Sequence, residues 1–356
     1  MDWTALANAA CEASLGGLLV ESVQRTGRQP TQSVLGRLRR QADQIERNNS
    51  GLLRQLARIT RALQSRGVEV LLLKGAALNL TLYDRPNLRP MSDLDLLVRP
   101  DSAERAITIL ESMGFRRGPS LLRADFFPRF HYEVELSSAD YHPTRIDLHT
   151  RPFRPLRWAT TIPDGAFWRG ARPVDERDAA ASVPAGEEML VHLATHSACH
   201  GHRRLLWLYD LCRLIDTVGA YLDWERVVHI CWLLELVLPV REALHKVETL
   251  WGPIIPSYIR DDLNAGRTTW RDRLCLAQAP HDATHPVRHV AVNLLCMRGV
   301  RFRMQYLLRV LLPDRGHLGQ GYGRRHCAWV FVAHLRRSLR LLLGPVFRRM
   351  GVLSPR

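Results

Sequence analysis

The chain has 356 residues, 46% of them hydrophobic, with a formal net charge of +15, which is enough apolar length for a full core and excludes intrinsic disorder as the default. Its seven cysteines, at 11, 199, 212, 231, 275, 296 and 327, form no C-x-x-C pair and are odd in number, so neither a disulfide framework nor a zinc ribbon is indicated. The charge is local: residues 286–356 hold fourteen arginines against one acid, Asp314, and carry nearly the whole excess.

From the N-terminus, MDWTALANAACEASLGGLLVESVQ has acids where a signal peptide has cations, and Glu12 and Glu21 interrupt its apolar stretch. No run of about 18 uncharged apolar residues follows. A cytoplasmic protein without a transmembrane segment is expected. Leu35, Leu38, Ile45, Leu52, Leu56, Ile59 and Leu63 then recur at helical spacing up to Gly67.

VEVLLL reads as a short buried strand, GAALNLTLY as a helix starting at Gly75, and SDLDLLV as a second strand. DSAERAITILESMGF follows as a helix with Asp101 or Ser102 at its cap and Gly114 at its end. HYEVELSSADYHPTRIDLHT predicts two strands around a turn containing Asp140 and Pro143. Residues 151–184 are rich in Pro, Gly and Arg and read as an irregular bridge. Beyond them the periodicity is helical.

These elements predict an α+β fold, a mixed sheet flanked by helices and followed by a mainly α-helical half. The expected division is a helical region over 1–66, a core over 67–155 and a helical domain over 156–356 whose basic tail starts near 286. That tail suits an anionic partner such as nucleic acid or an acidic membrane surface, or a solvated arginine face on packed helices. Its apolar runs, YLLRVLL and LRLLLGPVF, favour packing.

Alternation along a strand puts Asp93 and Asp95 on one face, with Leu94 and Leu96 on the other. Two carboxylates so close repel unless a cation lies between them, and magnesium completed by phosphate oxygens and water suits such a site. Asp147, in R-I-D-L-H, has the same apolar flanks and adds a third acid. Three acids on adjacent strands suit two-metal phosphoryl or nucleotidyl transfer, and solvated acids at a sheet edge are the plainer alternative. Gly75 would let backbone N–H groups approach an anion, with Lys74 reaching the same phosphates. Of 50 basic residues only Lys74 and Lys246 are lysines, so a compact ammonium is either required at 74 or survives there by chance.

L-L-K-G-A-A-L at 72–78, R-P-M-S-D-L-D-L-L-V at 89–98 and R-I-D-L-H at 145–149, with H-L-A-T-H-S-A-C-H-G-H-R-R-L-L-W-L-Y-D-L in the helical half, resemble the bacterial nucleotidyltransferase family 5 of the DNA polymerase β-like superfamily. The resemblance spans roughly residues 50–220. It implies a nucleotidyltransferase sheet with Asp93, Asp95 and Asp147 as catalytic metal ligands, magnesium or manganese, two ions, as cofactor, and a nucleoside triphosphate, ATP among the candidates, as donor. The superfamily's usual Gly-Ser at the first turn is replaced by Lys74-Gly75-Ala76, so the hydroxyl that commonly touches phosphate is missing and Lys74 stands in for it. Ser92, Arg89, Arg204 and His196 complete the candidate nucleotide contacts.

His192, His196 and His200 recur every four residues along one helix. Zinc, a polar face lining the cleft, and ordinary packing are the three readings; a row spanning about 12 Å is too long for all three rings to meet one ion. For Arg89, Arg204 and the weaker Arg85 the choice is between phosphate contact and a structural ion pair. The acceptor is open among a small molecule, sugar, peptide, protein or RNA. Alternatives to nucleotidyl transfer are phosphoryl transfer from the triphosphate at the same site and a non-catalytic nucleotide- or nucleic-acid-binding adaptor.

Overall fold

A computed structural model describes residues 1–118, 130, 132–138, 143–174, 178–281 and 286–311. The predicted turn residue Asp140 and most of the basic tail, from 312 onward, lie outside the described residues. Three helices open the chain: α1 (Trp3–Glu12), α2 (Gly16–Thr26) and α3 (Gln32–Gln64). The Asp2 carboxylate accepts from the Thr4 and Ala5 N–H groups at the start of α1, satisfying two donors that the helix itself leaves unpaired. Leu38, Ile45, Leu52, Leu56, Ile59 and Leu63 form the buried stripe of α3, and Gly67, with φ of +70°, lets the chain leave it.

Among the described residues seven strands make one mixed sheet: β1 (Leu71–Leu72), β2 (Leu94–Leu97), β3 (Arg116–Arg117), β4 (Glu133–Ser138), β5 (Thr144–His149), β6 (Arg172–Pro173) and β7 (Ser182–Val183), in the order β3-β4-β5-β2-β1-β7-β6. β2 pairs parallel with β5 and antiparallel with β1, while β1 pairs parallel with β7. Helices α4 (Lys74–Thr81) and α5 (Ala103–Ser112) lie between the first strands. Leu94, Leu96, Leu136, Ile146 and Leu148, all from the same sheet face, join Leu56 and Ile59 of α3 and Ile107 and Leu110 of α5 in the main core.

The α+β class and the hairpin are as expected, and three local expectations are not. Residues 151–184 are not merely irregular: they hold the short helix Leu156–Ala159 and the two strands β6 and β7 that extend the sheet. Two-residue strands, one containing Pro173, offer too short a run to register as strands in a sequence. Ser102 stands at the N-cap of α5 but makes no capping bond, since its hydroxyl donates to Asp101. Of VEVLLL only Leu71 and Leu72 enter the ladder, extended by Ser182 N–H donating to Val70 O and Leu73 N–H donating to Asp95 O.

After residue 185 the described chain is helical. The helix Gly186–Cys199 is buried almost all round, its polar Glu188, His192, Thr195 and Ser197 included, because it packs against Leu205–Val218, Trp224–Leu233 and Val237–Trp251. Among the described residues no helix is long and apolar enough to cross a membrane.

Candidate active site

The register of three strands builds the site. Asp95 on β2 stands opposite Asp147 on β5, which stands opposite Glu135 on β4, so three carboxylates form one row across the sheet. Like charges directly opposite on neighbouring strands destabilise a sheet. The next row adds His149 opposite Glu133, and Asp93 precedes Asp95 by two residues on the same face. The other face of these strands is Leu94, Leu96, Ile146 and Leu148, all fully buried, and their burial fixes which way the acids point.

Lys74 is the cation paired with Asp95. Its Nζ lies 2.6 Å from Asp95 Oδ1, and His149 Nε2 donates to the same oxygen at 2.9 Å. Asp95 is only 3% exposed. Burial works against its charge, but Lys74 and His149 outweigh it and hold the carboxyl well below the usual range. Burial likewise opposes the Lys74 ammonium, which Asp95, Glu133 and Asp147 nevertheless hold protonated above its ordinary value. Asp147 shows the opposite balance: burial first, then Glu133, Asp95 and Asp93, push its carboxyl up to about 7. Arg145 spans Asp93, with which it makes a close ion pair, and Asp147 at 3.5 Å.

Lys74 occupies the left-handed region, with φ of +44°, a conformation the sequence reading assigned to no lysine. Gly75 is needed for another reason. A Cβ there would sit 2.5 Å from Arg89 Nη1 and 3.0 Å from Met91 Cγ, so the missing side chain admits these protein atoms at a position that also lines the cleft.

These groups line a cleft of about 390 Å³ that brings together Lys74, Gly75, Arg89, Ser92, Asp93, Asp95, Asp147, His196 and Arg204. Ala76 is not among them: it is buried in the core. Ser92 Oγ donates to Asp93 Oδ2 at 3.1 Å. Arg89 touches the cleft but is committed elsewhere. Its Nε and Nη2 donate to Asp210 at 3.0–3.3 Å, its Nη1 donates to Pro90 O, and Tyr83 Oη donates to Asp210 at 2.8 Å. Arg89 thus makes a structural ion pair, one of the two readings open for it, while lining the cleft. Arg85, the weaker candidate, reaches Glu21 at 3.5 Å.

The histidine row divides. His196 and His200 face the cleft, whereas His192 is fully buried, stacked on Phe153 at 5.4 Å between ring centroids and edge-on to Phe167 at 6.0 Å. A helix buried on every side can send one turn to a cleft and the next into the core, so shared spacing does not mean shared surroundings.

Sequence reasoning missed Glu133 and Glu135, although Y-E-V-E-L repeats the alternation of S-D-L-D-L on the partner strand. It also missed His149, which is the last letter of R-I-D-L-H, and Tyr132, whose hydroxyl donates to Glu133 in a close contact.

Among the described residues no group of three or more His, Cys, Asp or Glu side chains converges as a metal-binding set, because the acids turn to Lys74, His149 and Arg145. The donor chemistry still fits a hard divalent cation: all-carboxylate, on adjacent strands, and close enough that, after burial, Glu133, Asp95 and Asp93 raise the proton affinity of Asp147.

A family model described as an uncharacterised nucleotidyltransferase matches residues 1–252, which take in every described strand and every cleft residue. The chain belongs to that family. A nucleotidyltransferase acts on a nucleotide substrate, and a cleft with a row of acids beside a half-buried ammonium is consistent with one. No curated protein matches the chain.

Proposed function

We propose that this nucleotidyltransferase moves a nucleoside monophosphate from a nucleoside triphosphate to a hydroxyl or phosphate acceptor, with magnesium or manganese as cofactor. The observation that carries this reading is the cross-strand row Asp95–Asp147–Glu135 beside Lys74. A sheet that sets carboxylates opposite one another loses stability unless cations offset them, and a bound metal ion would do so. Asp93, Asp95 and Asp147 would hold the metal, two ions in the full site, which neutralises triphosphate charge when bound.

The chain's own groups do the rest. Lys74 binds the triphosphate and offsets the charge that grows on the leaving pyrophosphate. His149, bonded to the oxygen of Asp95 that Lys74 also holds, orients that carboxylate. The acceptor oxygen forms a bond to the α-phosphorus, the bond from that phosphorus to the β-phosphate bridge breaks, and the acceptor proton passes to Asp147. Arg204 at the rim of the cleft contacts phosphate oxygens.

The test incubates the full chain with α-³²P-labelled and, separately, γ-³²P-labelled triphosphates, Mg²⁺ or Mn²⁺, and a lysate of its host. Label transferred from the α position and lost in Asp93→Asn supports the reading. Transfer of γ label alone would replace it with phosphoryl transfer, and no transfer from either label would leave nucleotide binding without turnover.

A further inference from the structure

The cleft has two unlike walls. One is the charged sheet face; the other, carried by the helices Gly186–Cys199 and Leu205–Val218, presents Leu193, His196, His200, Leu206 and Trp207. The turn between these helices makes the second wall possible. Gly201 and His202 both take left-handed backbone, with φ of +64° and +54°, and Ser197 Oγ and His202 Nδ1 are 2.9 Å apart, so the chain reverses within a few residues and returns Trp207 beside His196 and His200. The indole lies 4.8 Å from the His196 ring and 5.2 Å from the His200 ring, centroid to centroid. It is half-buried, and Arg204 places its guanidinium 5.3 Å from the indole centroid.

Both imidazoles are neutral near pH 7. Burial first, and then Lys74, hold His196 well below its ordinary range and His200 at about 4. The wall is thus aromatic and uncharged, bordered by Arg204 with Arg154 also lining the cleft, and faces carboxylates and an ammonium. A nucleoside triphosphate has the same division, an uncharged planar base at one end and phosphates at the other.

We infer that Trp207 is the platform for the nucleobase, with the base stacked on the indole and the triphosphate running past Arg204 toward Lys74. This rests on the nucleotidyl-transfer reading and names how the donor is held within it. Base–aromatic stacking gains free energy for any base, because each has a π face. A neutral imidazole offers one donor and one acceptor to a base edge without the desolvation cost of a charge.

Isothermal titration of the full chain, with Mg²⁺, against ATP, GTP, UTP, CTP and inorganic tripolyphosphate tests it. The wild type should bind the best nucleotide roughly 5- to 150-fold tighter than tripolyphosphate, the span that one stacked base contributes. Trp207→Ala should bring nucleotide affinity down to the tripolyphosphate level, and Trp207→Phe should retain part of the difference. Tripolyphosphate affinity should stay the same in all three proteins, which also certifies that each is folded. Wild-type nucleotide affinity in Trp207→Ala would overturn the inference and return the wall to the acceptor. Equal loss of nucleotide and tripolyphosphate binding in both variants would overturn it too, by making Trp207 a packing residue. Wild-type protein that binds neither ligand would sink the transfer reading itself, and this inference with it.

Discussion

Replacing Asp210 by Asn tests how far the cleft depends on a buried charge. Asp210 is fully buried and the Arg89 side chain is 6% exposed, with three N–H···O contacts between them and a fourth hydrogen bond from Tyr83. Burial, then Asp210, keep the Tyr83 hydroxyl protonated far above its ordinary range. The amide leaves the guanidinium without a counter-ion, and breaking such a pair costs about 3–5 kcal/mol. Tyr83→Phe removes a single bond to a charged acceptor and should cost less, about 1.5–3 kcal/mol. Urea denaturation followed by circular dichroism measures both, read as midpoint shifts at unchanged slope. The double change Arg89→Met with Asp210→Leu should recover most of the loss, since apolar replacement of a buried pair is often neutral or better. A loss below about 1 kcal/mol in Asp210→Asn would refute the argument, because it would mean that Arg89, at the cleft floor, is solvated well enough to need no partner.

Asp93→Asn and Asp95→Asn should both remove label transfer, yet differ in stability. Asp93 and Arg145 are partly exposed, whereas Asp95→Asn strips Lys74 of its buried partner and should cost toward the lower end of about 3–5 kcal/mol; thermal melts of the two variants separate them. Lys74→Met should lower kcat by roughly 10²- to 10³-fold, the usual loss for one preorganised group that stabilises developing charge, and steady-state kinetics with the labelled triphosphate measures it. Stability should fall on acidification. His192 is held neutral, at about 3 by burial first and then Lys74 and His149, against about 6.5 unfolded, so its contribution is complete above pH 6.5 and is lost as pH falls toward 3. Neither His192 ring nitrogen has a hydrogen-bond partner among the described residues. His192→Leu should therefore gain on the wild type by up to about 1.4 kcal/mol per pH unit below 6, and parallel stability curves for the two proteins would contradict this.

The cleft acids Asp93, Asp95 and Asp147 were legible because strand alternation is a local rule: D-L-D and R-I-D-L-H each fix a face within a few letters. The same rule applied to E-V-E would have found Glu133 and Glu135, and the omission came from reading the hairpin as architecture only. The partner of Arg89 was not legible. Asp210 lies 121 residues away, and its neighbours give an ordinary amphipathic helix. Nor could spacing divide His192 from His196, since that division depends on Phe153 and Phe167 arriving from the bridge. The bridge strands were hidden by brevity, with two residues each and a proline in one.

The left-handed backbone at Lys74 puts two demands on one position. A side chain other than glycine costs about 1–2 kcal/mol in that conformation, so glycine would relax the chain while deleting the ammonium that Asp95 requires. Arginine would keep a charge and keep the strain. The two demands can be separated from outside: Lys74→Gly leaves an unstrained turn and an ammonium-sized gap against Asp95 Oδ1. A small alkylammonium salt added to that variant should restore activity in proportion to its fit, while Lys74→Ala, strained as well as empty, should respond less. From Lys74 no single substitution both relaxes the chain and keeps the cation, which leaves this lysine without a neutral neighbour in sequence space.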